Sequence, residues 1–213
     1  METNWAEEHL QTIRTLMERS AVYRRALAPI MVWNGIVGII AGLAGWKFNI
    51  RADKVFIEYW SAVALFAIVG SFLLVRRQAL KDSEPFWSPP TRRVAQALCP
   101  PLLIGGFVNA IVVYVLRNGE DFGEQAWLIA MWLWLYGCAA CSAGFFMTRG
   151  IKLFGWLFIV VGCAWVVMMV MRSEQTLPIR PVSGSLVMGL IFGGLHLAYG
   201  IYLYLTEKGK NAA

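Results

Sequence analysis

Six blocks of about 20 predominantly apolar residues, at 26–46, 55–75, 95–116, 126–147, 151–171 and 184–205, constrain this chain more than any other feature. Each is long enough to cross a hydrocarbon core about 30 Å thick as an α-helix rising about 1.5 Å per residue. A helix satisfies its own backbone polar groups, which lipid cannot do for it. The blocks therefore predict an all-α, polytopic membrane protein built as a six-transmembrane-helix bundle.

Composition agrees, since 58% of the 213 residues are hydrophobic and only 15% are charged, against about 25% charged in ordinary soluble domains. Too little remains outside the blocks for a separate soluble catalytic domain. Three regions follow: 1–25 as an N-terminal amphipathic cytoplasmic helix, 26–205 as the six-helix transmembrane domain, and 206–213 as a cytoplasmic tail. The first region carries Glu7, Glu8, Arg14, Glu18, Arg19, Arg24 and Arg25 and has no short apolar core before a cleavage site, unlike a signal peptide. Trp5, Leu10, Ile13, Leu16, Met17 and Val22 recur there at helical spacing. They predict an interfacial helix that anchors and orients the bundle, with recruitment of a partner as the functional alternative.

The formal net charge of +6 does not indicate nucleic acid, because the basic residues sit at block ends and form no single basic face. Thirteen Lys and Arg fall on the side holding both termini, including Arg24, Arg25, Arg76, Arg77, Arg92, Arg93, Arg149 and Lys152. Six fall on the other: Lys47, Arg51, Lys54, Arg117, Arg172 and Arg180. Cytoplasmic loops are enriched in these residues, so both termini are expected in the cytoplasm. The loop 76–93, with Glu84-Pro85-Phe86-Trp87-Ser88-Pro89-Pro90, reads as a membrane-hugging connection, and Trp46, Tyr59, Trp60 and Trp127 as an aromatic belt.

Polar groups inside a membrane are costly and are functional candidates by default. No Asp, Glu, Lys or Arg lies deep in a block, and Glu58 is close enough to an end to remain interfacial. Proton pumps, voltage sensors and many ion-coupled carriers depend on such charges. Asn34, Asn109, Cys138, Cys141, Cys163, His196 and Tyr199 remain. Asn34 lies about 12 Å from the cytoplasmic surface, and Cys138 and His196, about 18 Å from the opposite one, reach the same level. Asn34, Cys138, His196 and Tyr199 are thus the candidate ligand-binding residues, in a layer between spans one, four and six.

Cys138 and Cys141 are one helical turn apart in the run Gly137-Cys-Ala-Ala-Cys-Ser-Ala-Gly144. Small residues of this kind let helices approach closely, and buried cysteine behaves as a small apolar group. The functional alternative is a thiol or metal site. A metal would need further ligands, His196 is the one histidine in any span, and paired-histidine haem ligation would have to draw on His9. No cofactor is expected. His196, flanked by Gly193, Gly194 and Gly200, reads either as a ligand or pH-responsive group or as a structural interhelical hydrogen bond.

Thr12-Ile-Arg-Thr-Leu-Met-Glu-Arg-Ser20, Leu135-Tyr136-Gly137 with Ala143-Gly144, and Phe192-Gly-Gly-Leu-His196 resemble a bacterial family of uncharacterised integral membrane proteins. The resemblance implies a bacterial cytoplasmic (inner) membrane, and it assigns neither a reaction nor functional residues.

The expected function is a non-catalytic sensing, binding or partner-supporting subunit, with the bilayer as its surroundings and a protein partner or a second copy as its associate. One alternative is a small permease for a neutral or hydrophobic compound. Its scaffold would be a faint inverted repeat relating Gly105-Gly106 through Tyr114 to Gly193-Gly194 through Tyr202. The other is a membrane thiol or metal enzyme using Cys138 and Cys141.

Overall fold

The computed structural model describes residues 27–81, 87, 89–118, 125–147, 149–173 and 183–211. The amphipathic N-terminal helix expected over 1–25 lies outside them. All regular structure among the described residues is helical: α1 (Leu27–Lys47), α2 (Asp53–Lys81), α3 (Pro89–Arg117), α4 (Gln125–Ala143), α5 (Arg149–Ser173), α6 (Gly184–Met188) and α7 (Leu195–Asn211). A π-helical segment, Gly189–Gly194, joins α6 and α7 into one rod.

Five helical stretches are long and apolar enough to cross a membrane: Leu27–Lys47, Asp53–Lys81, Thr91–Arg117, Gly150–Met171 and Gly184–Thr206. The fourth block gives a shorter apolar helix, Trp127–Ala143. It ends early because the chain tightens after Ala143, with the Phe145 and Phe146 amides donating to the Ser142 and Ala143 carbonyls three residues back. The connection 76–93 is also shorter than expected. α2 continues to Lys81, and α3 begins at Pro89, where a first-turn proline gives up no helical hydrogen bond. Of the expected aromatic belt, Trp46 and Trp127 are exposed, whereas Trp60 is buried against Tyr59 and Phe56.

Consecutive helices pack antiparallel. Trp33 Nε1 donates to the Ala67 carbonyl (3.3 Å) and the Tyr59 hydroxyl to the Ala41 carbonyl (2.7 Å), pairing α1 with α2. Asn109 Nδ2 donates to Ser61 Oγ (2.5 Å), and Arg117 pairs with Glu58 (3.0 Å), joining α3 to α2. α3 meets α4 where Gly105 faces Trp132 and Leu135. The small residues of the 137–144 run give α4 and α5 their close approach: a Cβ on Gly155 would sit 2.7 Å from Cys141 Sγ, and one on Gly137 2.8 Å from the Gly155 carbonyl.

The last rod then returns to the first helix. Gly35, Gly38, Gly42 and Gly45 of α1 face Leu197, Gly193, Gly189 and Ser185 in descending order, so the two rods are antiparallel. A Cβ on Gly38 or Gly42 would lie 2.7 or 2.6 Å from the opposing Gly193 or Gly189 Cα, which is backbone contact. The facing residues of the last rod are spaced by four. On a regular helix of about 3.6 residues per turn, each such step overshoots by about 40°, and the wider π turn takes up that drift. The π segment keeps one small-residue stripe turned toward α1. Without water to drive helices together, association rests on close packing of this sort.

The core joins Met31, Ala41, Phe56, Trp60, Ile129, Leu133, Phe154, Phe158 and Met188 from five of the rods. Outward, α2, α3 and α5 present Leu65, Phe72, Leu103, Phe107, Trp156 and Val160. Soluble monomers rarely expose an apolar exterior on this scale, and it is compatible with a lipid surrounding.

Candidate functional site

His196 is nearly fully buried, at 3% exposure, and both ring nitrogens are engaged. Nδ1 lies 2.6 Å from the Phe192 carbonyl, one turn back on its own rod. A carbonyl can only accept, so Nδ1–H donates, and in the neutral ring Nε2 is left as an acceptor. The Tyr136 hydroxyl, 2.5 Å from Nε2, supplies that proton from α4. Phe154 and Phe158 of α5 pack edge-on against the imidazole, with centroids 5.0 and 5.6 Å away. The cluster is sealed and apolar, with its one histidine fully hydrogen-bonded.

Two of the four candidate residues share this cluster. Tyr199 stacks on Phe154 with centroids 5.0 Å apart and planes 22° apart, on the ring that also packs against His196. Asn34 lies elsewhere, between α1 and α2, where its Oδ1 accepts from Ser71 Oγ at 3.0 Å. Cys138 is exposed on the outer surface of α4. Cys141, one turn on, is half-buried against α5, its Sγ 3.6 Å from the Lys152 carbonyl, and all four cysteines are free thiols. Among the described residues, no three His, Cys, Asp or Glu side chains come together.

Tyr136 was not among the candidates, although a signal for it existed. It precedes Cys138 by two residues, so it stands within about 3 Å of the level estimated for His196. The α1 stripe Gly35, Gly38, Gly42 and Gly45, with its helix-packing spacing, was equally readable. Among the described residues Ser185 Oγ, buried against Gly45, has no hydrogen-bond partner.

Open space lies on the other flank of α1. Trp33, Ile36, Val37, Ile40, Ala41 and Ala44 of α1 and Tyr59, Ala62, Val63 and Phe66 of α2 line a groove of about 490 Å³. Ala41, Ala44 and Ala62 are too short to fill it, while Ile36, Ile40 and Phe66 stand exposed around it. The Tyr59 hydroxyl, its main polar group, is already bonded to the Ala41 carbonyl. The lining therefore offers contact and shape and almost no polar recognition. Ligand sites are commonly concave and mostly apolar, within a range of about 300–1,000 Å³.

A closed helical bundle with an apolar exterior and five helices long enough to span defines a class compatible with a multi-pass membrane protein. Comparison with protein-family models, with curated protein sequences and with solved structures finds no match to the chain.

Proposed function

We propose that the chain is a six-crossing protein of the bacterial cytoplasmic membrane, with both termini cytoplasmic, that acts as a non-catalytic binding or sensing subunit by holding an apolar chain in the α1–α2 groove. The apolar, laterally open groove carries this reading. The polar groups of the spans support it from the other direction. His196, Asn34 and Asn109 each bond to a side chain on a neighbouring helix, and none of them lines the groove.

Parity supports the reading of six crossings. The first and last rods pack antiparallel, so an even number of crossings must separate them, and α2, α3, α4 and α5 supply four only if α4 crosses. Its 19 residues reach about 28 Å, close to the hydrocarbon thickness. The permease reading loses its route between spans one and six, where the backbones touch at Gly38–Gly193 and Gly42–Gly189. The thiol reading is weakened because Cys138 faces outward while Cys141 packs against α5.

The test is lipid retention by the full-length protein, measured by native mass spectrometry. Ala62 lines the groove and is exposed, so Ala62→Phe places a large ring in its space. Retained lipid should fall in this variant while thermal stability is kept. Equal retention by wild type and variant would refute the groove as the binding place.

A further inference from the structure

We propose that the groove takes one acyl chain of an anionic glycerophospholipid, with the headgroup held at the α1–α2 turn by Lys47 and Lys54. This deepens the function proposed above and rests on the groove being a binding place.

Length and lining fit a single hydrocarbon chain. From Trp33 to Ala44 the α1 wall is about 16 Å long, roughly half the hydrocarbon thickness. The length and apolar lining of the groove suit a flexible hydrocarbon chain from the surrounding leaflet.

The charge at its end selects the headgroup. Along α1 the lining residues Trp33, Val37, Ile40 and Ala44 are spaced by three and four, and the next step in that series is Lys47. The turn beyond it is rigidly shaped. Asn49 adopts φ 54°, in the left-handed region, while the Asn49 and Ile50 amides donate to the Trp46 and Gly45 carbonyls (both 3.0 Å), a Schellman closure. Arg51 and Lys54 follow that closure, and Lys47, Arg51 and Lys54 are all exposed. Asp53 is the acidic residue of this turn; Glu58, one turn further on, is paired with Arg117. Three of the six cations on the side poor in Lys and Arg thus collect at one turn, at the mouth of an apolar groove. This clustering opposes the charge bias that orients the protein. Attraction of an anionic headgroup gives it a purpose.

The experiment offers the full-length protein equimolar phosphatidylglycerol and phosphatidylcholine with identical chains, and reads retained lipid by native mass spectrometry. Wild type should favour phosphatidylglycerol by roughly fivefold per contributing lysine. Lys47→Gln/Lys54→Gln should retain both lipids equally, and Ala62→Phe should lose both. Equal retention by wild type, or an anionic preference that survives in the lysine variant, would overturn the headgroup assignment alone. Unchanged total lipid in Ala62→Phe would overturn the groove reading beneath it.

Discussion

The Tyr136 hydroxyl and His196 Nε2, 60 positions apart in sequence and 2.5 Å apart in space, join α4 to the last rod through a hydrogen bond sealed among aromatic rings. With Nδ1 committed to the Phe192 carbonyl, neither nitrogen is available to an incoming ligand. The most conspicuous polar residue of the spans is thereby a tie between helices.

Removing only the tyrosine hydroxyl leaves Nε2 unpaired in an apolar enclosure. Tyr136→Phe is expected to cost about 1–2 kcal/mol in chemical unfolding of the detergent-solubilised protein. Adding His196→Leu removes the orphaned partner, so the double variant should lose less than the two single losses combined. Additive losses would show that the two side chains are not coupled.

Glycine positions separate into two kinds. Gly42→Ala drives a methyl group to 2.6 Å from the Gly189 Cα and is expected to cost about 1–3 kcal/mol. At Gly106 nothing lies within 4 Å of the added Cβ, and Gly106→Ala should be neutral or gain up to about 1 kcal/mol from helix propensity. Thermal unfolding of the two variants side by side checks the contrast. Equal effects would contradict backbone contact between the first and last rods.

Parity can be tested with single-cysteine reporters in a background lacking the four native thiols. Reporters at Phe48 and Ser183 should both react with a membrane-impermeant maleimide from the non-cytoplasmic side. If α4 does not cross, Ser183 moves to the cytoplasmic side while Phe48 does not.

The native thiols should differ in reactivity toward a lipid-soluble maleimide. Cys99, Cys138 and Cys163 are exposed on the apolar exterior, whereas Cys141 is half-buried against α5. Mass mapping of adducts should find Cys141 the slowest. Cys138→Ala/Cys141→Ala should keep both the fold and the retained lipid; a loss of bound lipid in a folded double variant would restore the thiol reading.

Much of the architecture was legible because apolar length and basic block ends are local properties. Leu27–Lys47 differs by one residue at each end from the block that announced it. α4 was less legible, since its end depends on how the chain tightens after Ala143, which hydropathy does not report. The candidate layer was half legible. Depth alone set Asn34, Cys138 and His196 level, but rotation about each helix axis turns Asn34 toward Ser71 and Cys138 outward. Rotation is fixed by packing, here by the glycine stripe of α1 and the π turn that matches it. The groove was invisible for a related reason, because it exists only where Ala41, Ala44 and Ala62 fall opposite one another across two helices.

Contact between a lipid chain and Trp33, which lines the groove, tests the central claim most directly. The full-length protein is reconstituted with phospholipid brominated along one acyl chain, and tryptophan fluorescence quenching is compared among wild type, Trp33→Phe and Ala62→Phe. A chain in the groove predicts a quenchable component in wild type that disappears in Trp33→Phe and shrinks in Ala62→Phe. Identical quenching in all three would contradict it.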